Sequence, residues 1–223
     1  MISVLFEDED ILAADKPEGL ATIPERNPSQ QCLLHMLSSQ CEQKLFIVHR
    51  LDKEVSGVIL FAKNAAAHKH LNEQFEKRAV QKTYCALVHG ILDQDSGVIS
   101  APIRQFGSGR MGVDEKRGKA CTTSYEVSQR CRDFTLVHAH PLTGRRHQIR
   151  VHFYSMGHAV VGDLHYGDRA VQRGFPRLML HAVSIEFTLA SGAMQIVQAP
   201  MPYSFQKMIS AFCAEPVPDE RCV

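Results

Sequence analysis

A chain of 223 residues, 44% hydrophobic and 22% charged, can bury a sizeable core in one or two domains and is too mixed for a disordered, coiled-coil or collagen-like protein. Its 25 Lys and Arg against 24 Asp and Glu leave a net charge of +1, which at first argues against a polyanionic partner. The apolar run at 58–62 is far shorter than the ~20 residues of a membrane span, and the acidic N-terminus lacks the basic lead of a signal peptide.

In chain order, residues 2–7 and 10–14 read as two short strands joined by an acidic turn, and Lys16-Pro17-Glu18-Gly19 as a second turn. Residues 32–37 suit a short helix with Ser29 as candidate cap, and 55–62 a buried strand rich in apolar and β-branched side chains. Asn64 is placed to cap a helix in which Ala67, Leu71 and Phe75 recur every four residues and which ends near Arg78. The alternation at 83–89 predicts a strand, and further strands are predicted at 121–128, 134–139, 183–190 and 194–198, before a helix over 204–212. This order has no regular βαβ rhythm. It predicts an α+β fold, a mixed and largely antiparallel sheet flanked by helices, as a single domain over 1–223 with a loosely ordered tail at 214–223. The seven cysteines contain no Cys-x-x-Cys pair, so reduced, inert thiols in a cytoplasmic protein are expected rather than a disulfide framework or zinc site.

Charge is unevenly spread. Residues 1–30 hold seven acids and two bases, whereas 100–150 hold ten bases and four acids. In His49-Arg50-Leu51-Asp52 the Arg and Asp point the same way on an extended segment while Leu51 faces the core. An arginine beside a carboxylate keeps it ionised, though by spacing alone a surface ion pair is the simpler account. The segment Thr143-Gly144-Arg145-Arg146-His147-Gln148-Ile149-Arg150-Val151-His152 packs guanidinium, imidazole and amide donors ahead of Gly157, a natural helix stop. On a helix, Arg146 and Arg150 stand at i and i+4, an arrangement that suits phosphate oxygens better than a merely solvated face. His138 and His140 share a strand face, but no carboxylate or Cys stands at a metal-site spacing. The glycine-rich stretch 107–112 lacks Gly-Lys-Ser/Thr and reads as a mobile loop; with Arg104, Arg110, Lys116, Arg117 and Lys119 it forms a flexible basic segment that suits contact with RNA and a merely solvated loop equally well. Lys82 and Tyr84 share one strand face, by itself ordinary patterning.

Taken together, these segments resemble the RluA-type pseudouridine synthases. The matching pieces are Asp15-Lys16-Pro17-Glu18-Gly19-Leu20, the 49–52 motif with Ser56-Gly57 and Ala62, Lys82-Thr83-Tyr84 with Ala86 and Gly90, the 143–152 segment, Gly162-Asp163 with Tyr166-Gly167, and Arg177-Leu178-Met179-Leu180-His181-Ala182. The likeness runs from about residue 3 to about residue 205. It implies a pseudouridine synthase-like fold and the isomerisation of uridine in rRNA or tRNA by glycosidic cleavage, base rotation and C5–C1′ bond formation. Asp52 matches the family's catalytic aspartate, Tyr84 its active-site tyrosine, and Arg150 the basic residue that pairs with the aspartate. Arg50 matches the arginine that helps hold the flipped nucleotide's place in the RNA, and Leu51 with Ile149 would line a water-excluding pocket. Arg145, His147 and Gln148 fall in the matched segment as substrate-binding candidates. No metal, nucleotide cofactor or redox group is implied, and the expected partner is an RNA stem-loop with a flippable uridine, without a membrane or an obligate protein partner.

Two departures stand out. The family's Thr before Ser-Gly is Val55 here, which keeps the β-branched shape and loses a hydroxyl. The first motif begins almost at Met1 with no S4-type RNA-binding domain before it, so target selection is expected to rest on the catalytic domain. An aspartate-nucleophile glycosidase would need a second carboxylate about 5 Å away, and no motif offers an obvious one. A non-catalytic RNA-binding module would not need Asp52, Tyr84 and Arg150 together.

Overall fold

The computed structural model describes residues 1–25 and 30–213. Strands β1 (Ser3–Glu7) and β2 (Ile11–Lys16) open the chain, followed by helix α1 (Leu33–Gln40), the short strand β3 (Phe46–Ile47), β4 (Ser56–Ala62) and helix α2 (Ala65–Glu76). Next come β5 (Gln81–His89), β6 (Ser96–Ser100), β7 (Ile103–Gln105), β8 (Met111–Val113), β9 (Thr122–Arg130) and β10 (Phe134–Pro141). Helices α3 (Gln148–Ser155) and α4 (Arg169–Gln172), strands β11 (Leu180–Thr188) and β12 (Met194–Gln198), and helix α5 (Tyr203–Phe212) complete it. The described backbone packs as two compact units, residues of Met1–Thr83 with His181–Met201, and Tyr84–Leu180 with 202–213. Among the described residues no helix is long and apolar enough to cross a membrane.

In the first unit β4 is the central strand, and all seven of its residues are buried, as its unbroken apolar run requires. Strand β2 lies antiparallel along one edge of it, and β1 pairs with β2 in turn. On the other edge β3 pairs antiparallel with its far end, while β11 runs parallel to its start, with His181 opposite Ser56 and Ala182 opposite Gly57. The parallel approach is close enough that a Cβ on Gly57 would stand 2.2 Å from the Ala182 carbonyl oxygen, and Gly57 has φ +115°. Only glycine fits there. Asn64 caps α2 as its position predicts, its Oδ1 accepting from Ala67 N–H at 2.9 Å, and Ala67 and Leu71 face the core. Helix α1 begins at Leu33 with Cys32 as N-cap and no side-chain cap; Ser29 lies outside the described residues.

In the second unit β5, β10, β9 and β6 lie side by side, each pair antiparallel. The α+β expectation and the mostly antiparallel pairing hold in both units. Three expectations need correction. The basic stretch 104–119 is not a structureless loop: β7 and β8 form a hairpin pairing Ile103 with Val113 through Gln105 with Met111, tied by an Arg104–Asp114 ion pair. Strands of three residues are too short to show a period. Helix α3 begins at Gln148, because His147 adopts a left-handed φ of +55°, so Arg146 lies outside the helix and shares no face with Arg150. Finally, Cys131 and Cys213 are joined in a disulfide, their Cα atoms 4.7 Å apart, where reduced thiols were expected. That bridge fastens the end of α5 to the β9–β10 turn beside Phe134, Phe175 and Phe212, whose rings lie 4.9–6.0 Å apart. A separation of 82 residues leaves no local trace of such a pairing.

Candidate active site

The segment carrying Asp52 has no helix or strand of its own, so its shape depends on where its backbone groups are bonded. His49 comes first: its Nε2 accepts the Leu60 N–H at 3.0 Å and its ring lies 5.0 Å from that of Phe75. Burial, and secondarily the charge of Lys82, pushes its pKa down to about 3. The ring is therefore neutral and acts as an acceptor for the strand behind it. Arg50 is exposed and Leu51 is 6% exposed, so the chain alternates outward and inward as its residue types predict. The Thr22 hydroxyl clamps Leu51 from both sides, donating to its carbonyl at 2.8 Å and accepting from its N–H at 3.3 Å. Past Asp52, whose carbonyl accepts Val55 N–H at 3.1 Å, the Lys53 carbonyl takes Gly19 N–H at 2.8 Å.

The Lys-Pro-Glu-Gly turn explains itself here. The side chain of Lys16 is fully buried, and its Nζ donates to the carbonyls of Pro17, Leu20 and Lys53 at 2.8, 2.7 and 3.1 Å. Three donors meet three acceptors, which is how a buried ammonium is tolerated. The motif predicts only a turn at this lysine; its side chain is the brace that locks two loops together beside Asp52. Next to it, burial raises the pKa of Asp15. Val55 is 2% exposed and packs as an apolar residue. Ser56 Oγ and His181 Nδ1 are 2.8 Å apart, which joins two segments far apart in sequence. Lys82 is largely desolvated, and its pKa falls to about 8.

The second group of candidates lies around α3. Arg145 and Arg146 are exposed, whereas Arg150, in the first turn of the helix, is 1% exposed. Gln148 is committed on both amide ends: its Oε1 accepts from the Thr143 hydroxyl at 2.7 Å and Arg145 N–H at 3.0 Å, and its Nε2 donates to Thr122 O and Thr123 Oγ1, both at 3.0 Å. It braces the turn that presents Arg145. Ile149 is buried, and Tyr84 is half-buried on β5, opposite Ala139.

Arg150 has a partner within its own unit that its sequence spacing does not indicate. Asp163 Oδ2 accepts its Nε at 2.7 Å and Oδ1 its Nη2 at 2.8 Å, a two-pronged pair with both side chains at 1% exposure or less. Asp163 Oδ1 also accepts the backbone N–H of His165 at 2.9 Å and of Tyr166 at 3.2 Å. The Tyr166 ring lies 5.4 Å from the Arg150 guanidinium and 5.1 Å from that of Arg110, and its hydroxyl is 2.8 Å from His147 Nδ1. Burial, opposed chiefly by Arg150, raises its pKa to about 12, so the phenol is neutral. Gly162-Asp163 and Tyr166-Gly167 were visible as motif pieces, but nothing in a 13-residue separation marks Asp163 as the partner of Arg150. The other pairing that invites chemistry, Cys121 with His152 at 3.4 Å, is not primed: burial raises the pKa of the thiol and lowers that of the imidazole. Among the described residues no group of three His, Cys, Asp or Glu side chains could hold a metal ion.

Residues 10–155 match the family described as RNA pseudouridylate synthase. The chain belongs to that family. It is 36% identical over 218 residues to ribosomal large subunit pseudouridine synthase C of Pasteurella multocida, which covers 93% of this chain and 67% of the relative. It is likewise 36% identical over 191 residues to the dual-specificity RNA pseudouridine synthase RluA of Vibrio vulnificus, covering 82% and 76%. An RNA pseudouridine synthase of Mycoplasma pneumoniae is 37% identical, and the chain spans 62% of its length. Among solved structures, human RNA pseudouridylate synthase domain containing 1 superposes with a TM-score of 0.79 at 28% identity, over 98% of this chain and 97% of the other. The expected family and fold are both established by these likenesses.

Proposed function

We propose that this pseudouridine synthase isomerises uridines in structured RNA, rRNA or tRNA, with Asp52 as the essential catalytic group, acting as one catalytic domain over 1–223 in the cytoplasm. The observation that supports Asp52 most directly is the bonding of the backbone around it: Thr22 holds Leu51, while Lys16 and Gly19 hold Lys53. A carboxylate on an irregular loop gains a defined position only if the loop is held in this way, and positioning is a large share of a catalytic group's worth. The names of the relatives, which include a ribosomal large subunit enzyme and a dual-specificity enzyme, support rRNA or tRNA as substrate.

In this reading the target uridine is extruded from its stack, at a cost of a few kcal/mol, so that C1′ and the uracil face become accessible. Asp52 acts through its carboxylate in breaking the N1–C1′ bond, and Arg150 is a second catalytic group. Tyr84 supplies a ring against which uracil stacks and a hydroxyl for removing the C5 proton after the base has turned. Arg50, exposed beside Asp52, fills the place the flipped nucleotide leaves, and the apolar Leu51 and Ile149 exclude water. Arg145, with His147 near it, meets RNA phosphate or sugar, on the turn that Gln148 braces. The reaction is an isomerisation: the C5 proton is the one atom released to solvent, and one proton is regained at N1.

A retaining glycosidase is disfavoured because none of the motifs offers an obvious second carboxylate of the kind it would need. The test is tritium release from RNA labelled at uridine C5. The native protein should release it and Asp52→Asn should not; turnover by the variant at the native rate would remove Asp52 from the mechanism.

A further inference from the structure

We propose that Asp163 is a positioning residue for the isomerisation: it fixes the plane of the Arg150 guanidinium, and so the direction in which the N–H groups it leaves uncommitted point. The inference rests on the role given to Arg150 above and goes beyond it. A guanidinium is a flat fork, and a carboxylate that takes Nε and Nη2 together fixes the plane of the whole group. Asp163 does this at 2.7 and 2.8 Å with no solvent at either side chain.

The carboxylate is itself fixed by the backbone. Its Oδ1 accepts two main-chain N–H groups, those of His165 and Tyr166. The residue before it, Gly162, has φ +76°, and a Cβ there would stand 1.8 Å from the Arg177 carbonyl oxygen, so the corner admits no other residue. One step earlier, Val161 N–H bonds the Leu87 carbonyl at 2.9 Å, and Met179 N–H bonds the Val161 carbonyl at 2.8 Å. The direction of Arg150 is therefore set by three backbone segments acting through one carboxylate. The Tyr166 ring, placed by the same turn, faces the guanidinium at 5.4 Å. A pair serving only to fill the core gains little from being charged, since apolar residues of similar volume stabilise such sites as well or better. A charge pair tied to the backbone at this depth fits a group whose direction matters.

The test is Asp163→Asn in the whole chain, assayed by tritium release. Loss of orientation should lower kcat by about 10- to 100-fold while KM for RNA stays within about threefold. A normal kcat, or a rise in KM alone, would overturn the proposal. In an Arg150→Lys background, where no fork remains to be oriented, the same substitution should cost less than about twofold; a loss that multiplies in full would mean that Asp163 acts by another route. Arg150→Lys turning over at the native rate would instead remove the role given to Arg150, a different failure read from a different variant. Should Asp163→Asn not fold, the native protein still decides. With 15N-labelled arginine, the Nη hydrogens of Arg150 should show hindered rotation, and a rapidly averaged guanidinium would overturn the proposal.

Discussion

At the scale of single residues, the motif side chains divide into those held for chemistry and those that hold them. Lys16 is of the second kind. Lys16→Met keeps the length of the chain but strands three carbonyls, so we expect a loss of about 3 kcal/mol in urea unfolding. The folded fraction should also turn over about tenfold more slowly as the Asp52 loop loosens. An unchanged kcat would show that the loop needs no brace. His49 makes a prediction in pH. Its pKa is about 3 in the folded protein against 6.5 ordinarily, so between these values the unfolded chain binds a proton that the folded one does not. The stability due to the neutral ring is complete above pH 6.5 and is lost as pH falls toward 3, by up to about 1.4 kcal/mol per pH unit. His49→Gln keeps an acceptor for Leu60 N–H and should flatten this slope; parallel stability curves for the two proteins would contradict it.

At the scale of elements, most of what sequence patterning could reach was reached. The buried strand at 55–62, the Asn64 cap and the strands near 121–128, 134–139 and 194–198 depend on neighbours within a few residues, and each appears within a residue or two of its expected bounds. The β7–β8 hairpin and α4 escape such reading because three or four residues carry too little periodicity, and β6 because Ser96-Gly97-Val98-Ile99-Ser100 does not alternate. Helix α3 was drawn too early because the left-handed turn at His147 is made by a residue type that gives no warning of it. Two predictions belong here. Gly57→Ala should destabilise the first unit by about 3 kcal/mol or more, since a methyl there meets the backbone of β11; a normal melting temperature would refute the close parallel pairing. Cys213→Ser removes the tie between α5 and the β9–β10 turn and should cost up to about 4.5 kcal/mol, the loop-closure value for so long a loop. If reductant leaves the native protein's urea midpoint unmoved, the bridge contributes nothing.

For the whole molecule, charge placement matters more than charge total. The net +1 averages an acidic first 30 residues with a central segment of net +6, and the structure divides the arginines of that segment by use. Arg145, Arg146, Arg110 and Arg117 are exposed, while Arg150 is sealed in the core. Replacing both Arg145 and Arg146 by Ala should reduce the slope of log affinity for RNA against log salt by roughly 1.5. An unchanged slope would mean that neither meets a phosphate. With so small an overall excess, unrelated RNA should bind weakly at physiological salt, and selection should rest on RNA shape and a flippable uridine.

What the sequence by itself determined is the α+β character, the positions of the longer strands and helices, and, through ordered motifs, the family. All of these are carried by residues close along the chain or by fixed residue types in order. Tertiary structure alone decided the partners: Lys16 with the Lys53 carbonyl, Ser56 with His181, Cys131 with Cys213, and Arg150 with Asp163. A buried charge or thiol must find its complement in space, and the segments that supply it come together only when the sheet and its corners have formed.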